Sequence, residues 1–294
     1  MDKDVWGVLR AAIRSADRSI PRAGRRPTYS DRLIVKIYFC TVASDRPRLA
    51  VLDRRTFAGL MRAAAMPSYS QFCKRLRSPR VLAMIERVSE VLSRSDRPVG
   101  VAFLDGKAMR VGESSKDPDA RTGRGDGTFS RGYKLHALGG DDGRIKAFRV
   151  HPLNRAEPRV AREELVHDVP AGVVVLADGN YDSKFLYAGV RERGAWMLAP
   201  AKANRRGPLE DLKTGPERKE ALRVWEEQPA LAHAVYRLRW QIERIFAHLT
   251  CFGGGLAPLP AWVRRIDRVR LWVTAKVALY NARVEVRERR SRAA

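Results

Sequence analysis

VVVLADGNYDS, residues 173–183, puts an apolar run directly against an acid. Val173 to Leu176 have the composition of a short buried strand, and the Asp178-Gly179 pair ends the run with a turn signal. A second run closes in the same way: VGVAFLDG, residues 99–106, ends in Asp105-Gly106. Between them GYKLHALGG (132–140) and GRIKAFRVHP (143–152) alternate around a Gly-Asp-Asp-Gly turn, which is a hairpin pattern. AEPRVAREELVHD (156–168) suits a helix, SKFLYAGVRERG a second helix closed by Gly194, and AWMLAPA a further strand. Strand, hairpin, helix, strand, helix, strand is the order of an α/β protein with a mixed sheet.

The first 98 residues read differently. They show no strand alternation, and YSDRLIVKIYFCTVASDRP offers Ser30 as the cap of a helix that stops before Pro47. Further on, a helix over about 56–65, a turn at Met66-Pro67-Ser68 and a second, basic helix have the layout of a helix-turn-helix over residues 56–78. Gln71, Lys74 and Arg75 are its candidate DNA-reading side chains, although an ordinary helical hairpin has the same pattern. SDRPVG at 95–100 marks the boundary, giving a helical region 1–98 and a second region 99–294 with a helical C-terminal extension. That extension ends in an amphipathic helix over VRRIDRVRLWVTAKVALYNARVEV. Residues 112–131 read as a flexible basic loop.

Charge limits the partners. The 294 residues carry 57 Lys+Arg against 33 Asp+Glu, a net charge of +24. Residues 1–98 hold 21 basic and 9 acidic side chains, residues 237–294 hold 13 and 4, and residues 99–236 are nearly balanced at 23 and 20. Two polycationic ends around a neutral middle fit a polyanionic partner held through phosphate contacts. No stretch approaches the roughly 18 apolar residues of a membrane span, and acids precede any apolar run at the start, so the expected location is cytoplasmic, on the nucleoid, with no membrane partner. Cys40, Cys73 and Cys251 lack the paired spacing of a zinc site and are odd in number for a disulfide framework.

The chemistry resides in acids. Asp105 and Asp178 each stand where an apolar strand ends, the edge at which open α/β sheets collect ligands; one such Asp is more often a turn residue, and the repetition is what favours a ligand site. A third acid is Glu243 in YRLRWQIERIFAHLT, where Tyr236, Arg239, Glu243 and Phe246 recur at three and four residues and share a helical face, with Trp240 and Ile242 anchoring it to the core. Glu243 can be one half of an i, i+4 salt bridge with Arg239, or a metal ligand. Two aspartates and a glutamate form a hard-oxygen set suited to Mg²⁺, with Mn²⁺ as a substitute.

VAFLDGKAM (102–109), RGYKLHAL (131–138), VVVLADGNYDS and YRLRWQIERIF (236–246) together resemble the DDE transposases of bacterial insertion sequences, of the insertion-sequence-four type with a transposase DDE domain. That family's last signature runs Tyr, two residues, Arg, three residues, Glu, six residues, Lys; Tyr236, Arg239 and Glu243 fall in register, and Thr250 stands where the lysine would be. The resemblance implies a ribonuclease H-like fold and a catalytic, metal-binding triad of Asp105, Asp178 and Glu243. It also implies contacts to double-stranded DNA by Tyr236 and Arg239, and cleavage of element 3′ ends followed by strand transfer; Lys134 is a further candidate DNA contact, and pairing two ends would suit a homodimer on DNA. A decayed or domesticated relative that binds DNA without cutting it is the alternative that Thr250 leaves open. The charge distribution predicts that DNA affinity falls steeply with salt, on the order of 10³-fold between 50 and 200 mM for six or more neutralised phosphates. A flat salt response in a filter-binding titration would remove the electrostatic argument.

Overall fold

The computed structural model describes all residues except 23, 26, 58–65, 126, 203–207, 252–255, 257 and 294. They form two compact units, one of residues 1–94 with 248–294 and the other of residues 95–247. The boundary expected from the sequence lies at 98/99, with residues 248–294 in the second region.

The first unit is helical. Helix α1 (Lys3–Ser19) starts where the Asp2 carboxylate accepts from the Asp4 N–H, and buries Val5, Leu9, Ala12, Ile13 and Ala16 along one stripe. Helix α2 (Asp31–Ala43) is capped by Ser30, as its sequence indicates, with the hydroxyl accepting from the Leu33 N–H. The first helix expected of the helix-turn-helix falls mostly on 58–65, outside the described residues; Arg54–Phe57 form a 3₁₀ turn. The second is α3 (Tyr69–Leu76), closed by a capping box in which Ser68 and Gln71 bond each other's backbone N–H groups. Helix α4 (Pro79–Ser93) begins with proline in its first turn, where the missing N–H costs nothing. The C-terminal helix Ile266–Ala293 departs from its expected amphipathic character, because Trp272 to Ala282 are buried without interruption. A helix buried all round belongs at the centre of a bundle, and this one packs on α1, α2 and α4. Its charges lie toward its ends, apart from Lys276, whose ammonium pairs with Asp45.

One carboxylate ties the N-terminal helices together. Asp31, buried at the start of α2, binds Arg75 of α3, Arg80 of α4 at 2.6 Å and Arg22 at 3.3 Å. Arg80 also reaches Asp17 at the end of α1 at 2.8 Å. Removing the central acid strands several guanidinium groups, so Asp31→Ala should cost on the order of 3 kcal/mol, read as a lower midpoint in denaturant titration. A change within about 0.5 kcal/mol, the size of an ordinary surface substitution, would show the network to be unimportant.

The second unit is the mixed α/β region. Its sheet is built from β1 (Val101–Arg110), β2 (Arg121–Gly125), β3 (Thr128–Gly140), β4 (Ile145–Pro152), β5 (Val174–Ala177) and β6 (Trp196–Leu198). Strand β3 runs antiparallel to β1 on one edge and to β2 and β4 in succession on the other, while β1, β5 and β6 are parallel. Gly132 sits where β3 is flanked on both edges, and a Cβ there would lie 2.3 Å from the Met109 carbonyl oxygen. Among the helices, α5 (Glu157–Val160) runs on through a wide and then a tight turn to Asp168, and α6 (Lys184–Glu192) follows β5. Helices α7 (Pro216–Glu227), α8 (Pro229–Tyr236) and α9 (Trp240–Cys251) complete the order.

One face of the sheet buries Leu104, Leu138, Val175 and Ala177 against Leu165, Leu186 and Val190. On the other face Ile242 and Ile245 of α9 approach Gly139 so closely that a Cβ would come within 2.8 Å of Ile242. Helices on both faces of a mixed sheet, with a helical N-terminal region, make the ribonuclease H-like class expected from the sequence.

Two local expectations give way. Residues 112–131 are not a loose loop: β2 and the start of β3 form the outer hairpin, and Arg131 bonds the Ser115, Asp117 and Ala120 carbonyls while the Tyr133 hydroxyl binds Asp117. Glycine and arginine hide its strand character because it lies at the sheet edge, where apolar alternation is not needed. Trp240 does not anchor α9; it is exposed, with the Arg244 guanidinium over its ring, and Ile242 takes the buried position.

Candidate active site

The site begins with register. Strand β1 pairs in parallel with β5 from Val101–Val174 to Leu104–Ala177, so the residues that follow the last pair, Asp105 and Asp178, emerge side by side. Only β5 ends there. Strand β1 continues to Arg110 because β3 holds its other edge, which places Asp105 within a strand rather than at its end. Asp178 leaves the sheet and caps the turn Gly179–Tyr181, with Oδ1 accepting from the Asn180 N–H at 2.9 Å.

A third acid joins them that the sequence reading passed over. Glu157, the first residue of α5, offers a carboxylate oxygen that lies, with one each from Asp105 and Asp178, in a set whose members are within 4.8 Å of one another. Its Oε1 accepts from Lys134 Nζ at 2.6 Å. An acid in a first helical turn has an ordinary explanation in the helix dipole, and that explanation concealed it. The signal that could have raised it is position, since α5 is the helix that directly follows the hairpin packed against β1.

The electrostatics follow from the crowding. Burial raises the Asp105 carboxyl to about 6, with Arg239 and the Gly106 N–H opposing the shift and Glu157 and Asp178 adding to it. The Tyr181 phenol, fully buried behind the cluster, is raised by burial and then by the fields of Glu157, Asp105 and Asp178. Like charges this close are costly unless a cation stands among them. An all-oxygen carboxylate set fits Mg²⁺ or Mn²⁺ and not a soft metal, so the residues present suit such an ion.

Glu243 is placed otherwise. The helix expected around it is broken into α8, a 3₁₀ turn Arg237–Arg239 and α9. Arg239 stands at that break and joins two of the acids: Nη2 reaches Asp105 Oδ2 at 3.2 Å and Nη1 reaches Glu243 Oε1 at 3.0 Å. Glu243 is thus in the i, i+4 pair with Arg239 that its spacing allows, and its side chain is 65% exposed. Tyr236 lies half-buried, edge-on to Trp225, within the fields of Arg239, Asp178, Asp105 and Glu243.

The other residues assigned to DNA contact are distributed. Lys134 is buried, its ammonium bound to Glu157 and to the Arg124 carbonyl. On α3, Gln71 spends its amide oxygen on the capping box and Arg75 turns in to Asp31, leaving Lys74 exposed. His136, two residues after Lys134 on the same face of β3, is buried edge-on to His151, and burial lowers it to about 3.

Asp105 must be ionised to bind a cation. With its carboxyl at about 6, divalent-metal affinity should be level above pH 7 and fall by roughly tenfold per pH unit below pH 6. Mn²⁺ titrations from pH 8 to 5 would show this, and an unchanged affinity at pH 5 would contradict the assigned environment.

A family model described as "Transposase DDE domain" matches residues 98–281. Among solved structures, the chain is similar in fold to piggyBac transposase in a synaptic complex with hairpin DNA. That likeness has a TM-score of 0.52 at 10% identity and covers 97% of this chain and 72% of the other. No curated protein matches by sequence. No helix among the described residues is long and apolar enough to cross a membrane.

Proposed function

The chain belongs to the transposase DDE-domain family, and from that premise we propose that it is the metal-dependent transposase of a bacterial insertion sequence, working in the cytoplasm on the nucleoid. The observation that carries the proposal is the pairing of β1 with β5, which delivers Asp105 and Asp178 to one point. Both are assigned as metal ligands, with Glu243 as the third member of the triad and Mg²⁺ as the ion. Divalent ions held there would activate an attacking oxygen and stabilise the leaving oxygen of a phosphodiester. Water attacks first, at the element's 3′ ends, and each freed 3′-hydroxyl then attacks target DNA.

The chain's own residues position the strand. Arg239 is held between Asp105 and Glu243, and a DNA phosphate that took its guanidinium would release both carboxylates at once. Tyr236, one 3₁₀ turn before Arg239, is aligned with it and is assigned to the same phosphate. Lys74 and the polycationic terminal regions hold the DNA electrostatically. Lys134 serves from inside the site, through Glu157. Pairing of two element ends calls for a dimer assembled on DNA. The alternative, a relative that binds DNA without cutting it, is supported by Thr250 at the family's lysine position and by the exposure of Glu243.

Incubation with Mg²⁺ and DNA bearing the inverted repeats that flank the gene separates the two. Asp178→Ala should bind the DNA like the wild type but lose cleavage on the order of 10³-fold, several kcal/mol at about 1.4 kcal/mol per tenfold. Binding by both proteins with cleavage by neither, under any divalent ion, would leave the binding-protein reading standing.

A further inference from the structure

We infer that Glu157 is a fourth carboxylate of the metal centre, held in place by Lys134 and admitted by the absence of a side chain at Gly106. The inference rests on the assignment of Asp105 and Asp178 as metal ligands.

Its geometry is independent of the motif that identified the other acids. Glu157 comes from the start of α5, and its carboxylate lies over β1, beside Asp105 and Asp178, within the 4.8 Å set. Glycine at 106 leaves the room: a Cβ there would stand 2.8 Å from Glu157 Oε1 and 2.9 Å from Cδ, so any side chain would push the carboxylate aside. Lys134, on the neighbouring β3 and itself buried, grips Oε1 at 2.6 Å. Carboxylate oxygens offer about four lone-pair sites, so one lysine contact fixes the group and leaves capacity for a cation. The lysine acts as an outer partner that orients a ligand, a role that commonly governs metal affinity.

Charge supports the same conclusion. Asp105, Asp178, Glu157 and Glu243 bring four negative charges, and the side chains that pair with them, Lys134 and Arg239, bring two positive ones. The negative charge that these two cations leave uncompensated suits bound divalent metal. A division of labour follows: Asp105, Asp178 and Glu157 form a half-site that exists before DNA arrives, and Glu243 joins after Arg239 turns to a phosphate.

Mn²⁺ binding to the full-length, DNA-free protein, followed by electron paramagnetic resonance at pH 8, tests this without reference to activity. Glu157→Gln should weaken Mn²⁺ binding tenfold or more. Gly106→Ala, which retains the glutamate but displaces it, should weaken binding comparably and add little in the Glu157→Gln background. Thermal melts confirm that each variant is folded, and if Glu157→Gln is not, Gly106→Ala carries the test alone. Asp178→Asn is the reference. Wild-type affinity in the Glu157 and Gly106 variants, with Asp178→Asn weakened, overturns the role of Glu157 alone. Wild-type affinity in Asp178→Asn as well overturns the metal-ligand assignment beneath it.

Discussion

The crowding of Asp105, Asp178 and Glu157 at one end of the β1–β5 pair is the constraint on which the site depends. Three carboxylates within 4.8 Å repel one another, and burial raises the cost, as the upward shift of Asp105 records. The fold sustains this by rigid means. Parallel pairing up to Leu104–Ala177 fixes the two aspartates, a capped turn fixes Asp178, and Lys134 fixes Glu157. Strain of this kind, held in place by the surrounding sheet, suits a site whose compensating charge comes from a bound ion.

In the proposed function Arg239 gives the site a second state. Its guanidinium already neutralises Asp105 and Glu243, the first and last acids of the proposed triad. An arginine shared between two carboxylates binds each less tightly than a bidentate pair would, and it is the side chain best shaped to transfer to phosphate. Its position at the 3₁₀ break between α8 and α9, rather than within a continuous helix, directs it across the end of β1. The excess positive charge of the chain and the acid cluster are therefore complementary features, one suited to the phosphate backbone and the other to cations.

Much of this was legible in the sequence because the signals were local. Apolar runs closed by Asp-Gly located β1 and β5, alternation around a Gly-Asp-Asp-Gly turn located the β3–β4 hairpin, and Ser30 marked the start of α2. What was not legible depended on tertiary neighbours. Asp105 read as a strand end, since nothing local says that β3 would carry β1 five residues further. Glu157 was one acid among several in the helix expected over 156–168, and the room for its carboxylate beside Asp105 comes from a glycine 51 residues earlier in the chain. Arg75 read as a candidate DNA-reading side chain because its partner, Asp31, is 44 residues away. The C-terminal helix read as amphipathic because the charged residues toward its ends outweigh a central stretch that is buried on every side.

The central claim is that divalent ions bind where β1 and β5 deliver their aspartates, and Fe²⁺ substitution maps that place directly. Iron bound in the DNA-free protein, treated with ascorbate and peroxide, generates hydroxyl radicals that cut the backbone within a few ångströms of the ion. Cuts near residues 105, 157 and 178, suppressed by excess Mg²⁺, are the result this account predicts. Cuts confined to other segments, or none that Mg²⁺ suppresses, would contradict it.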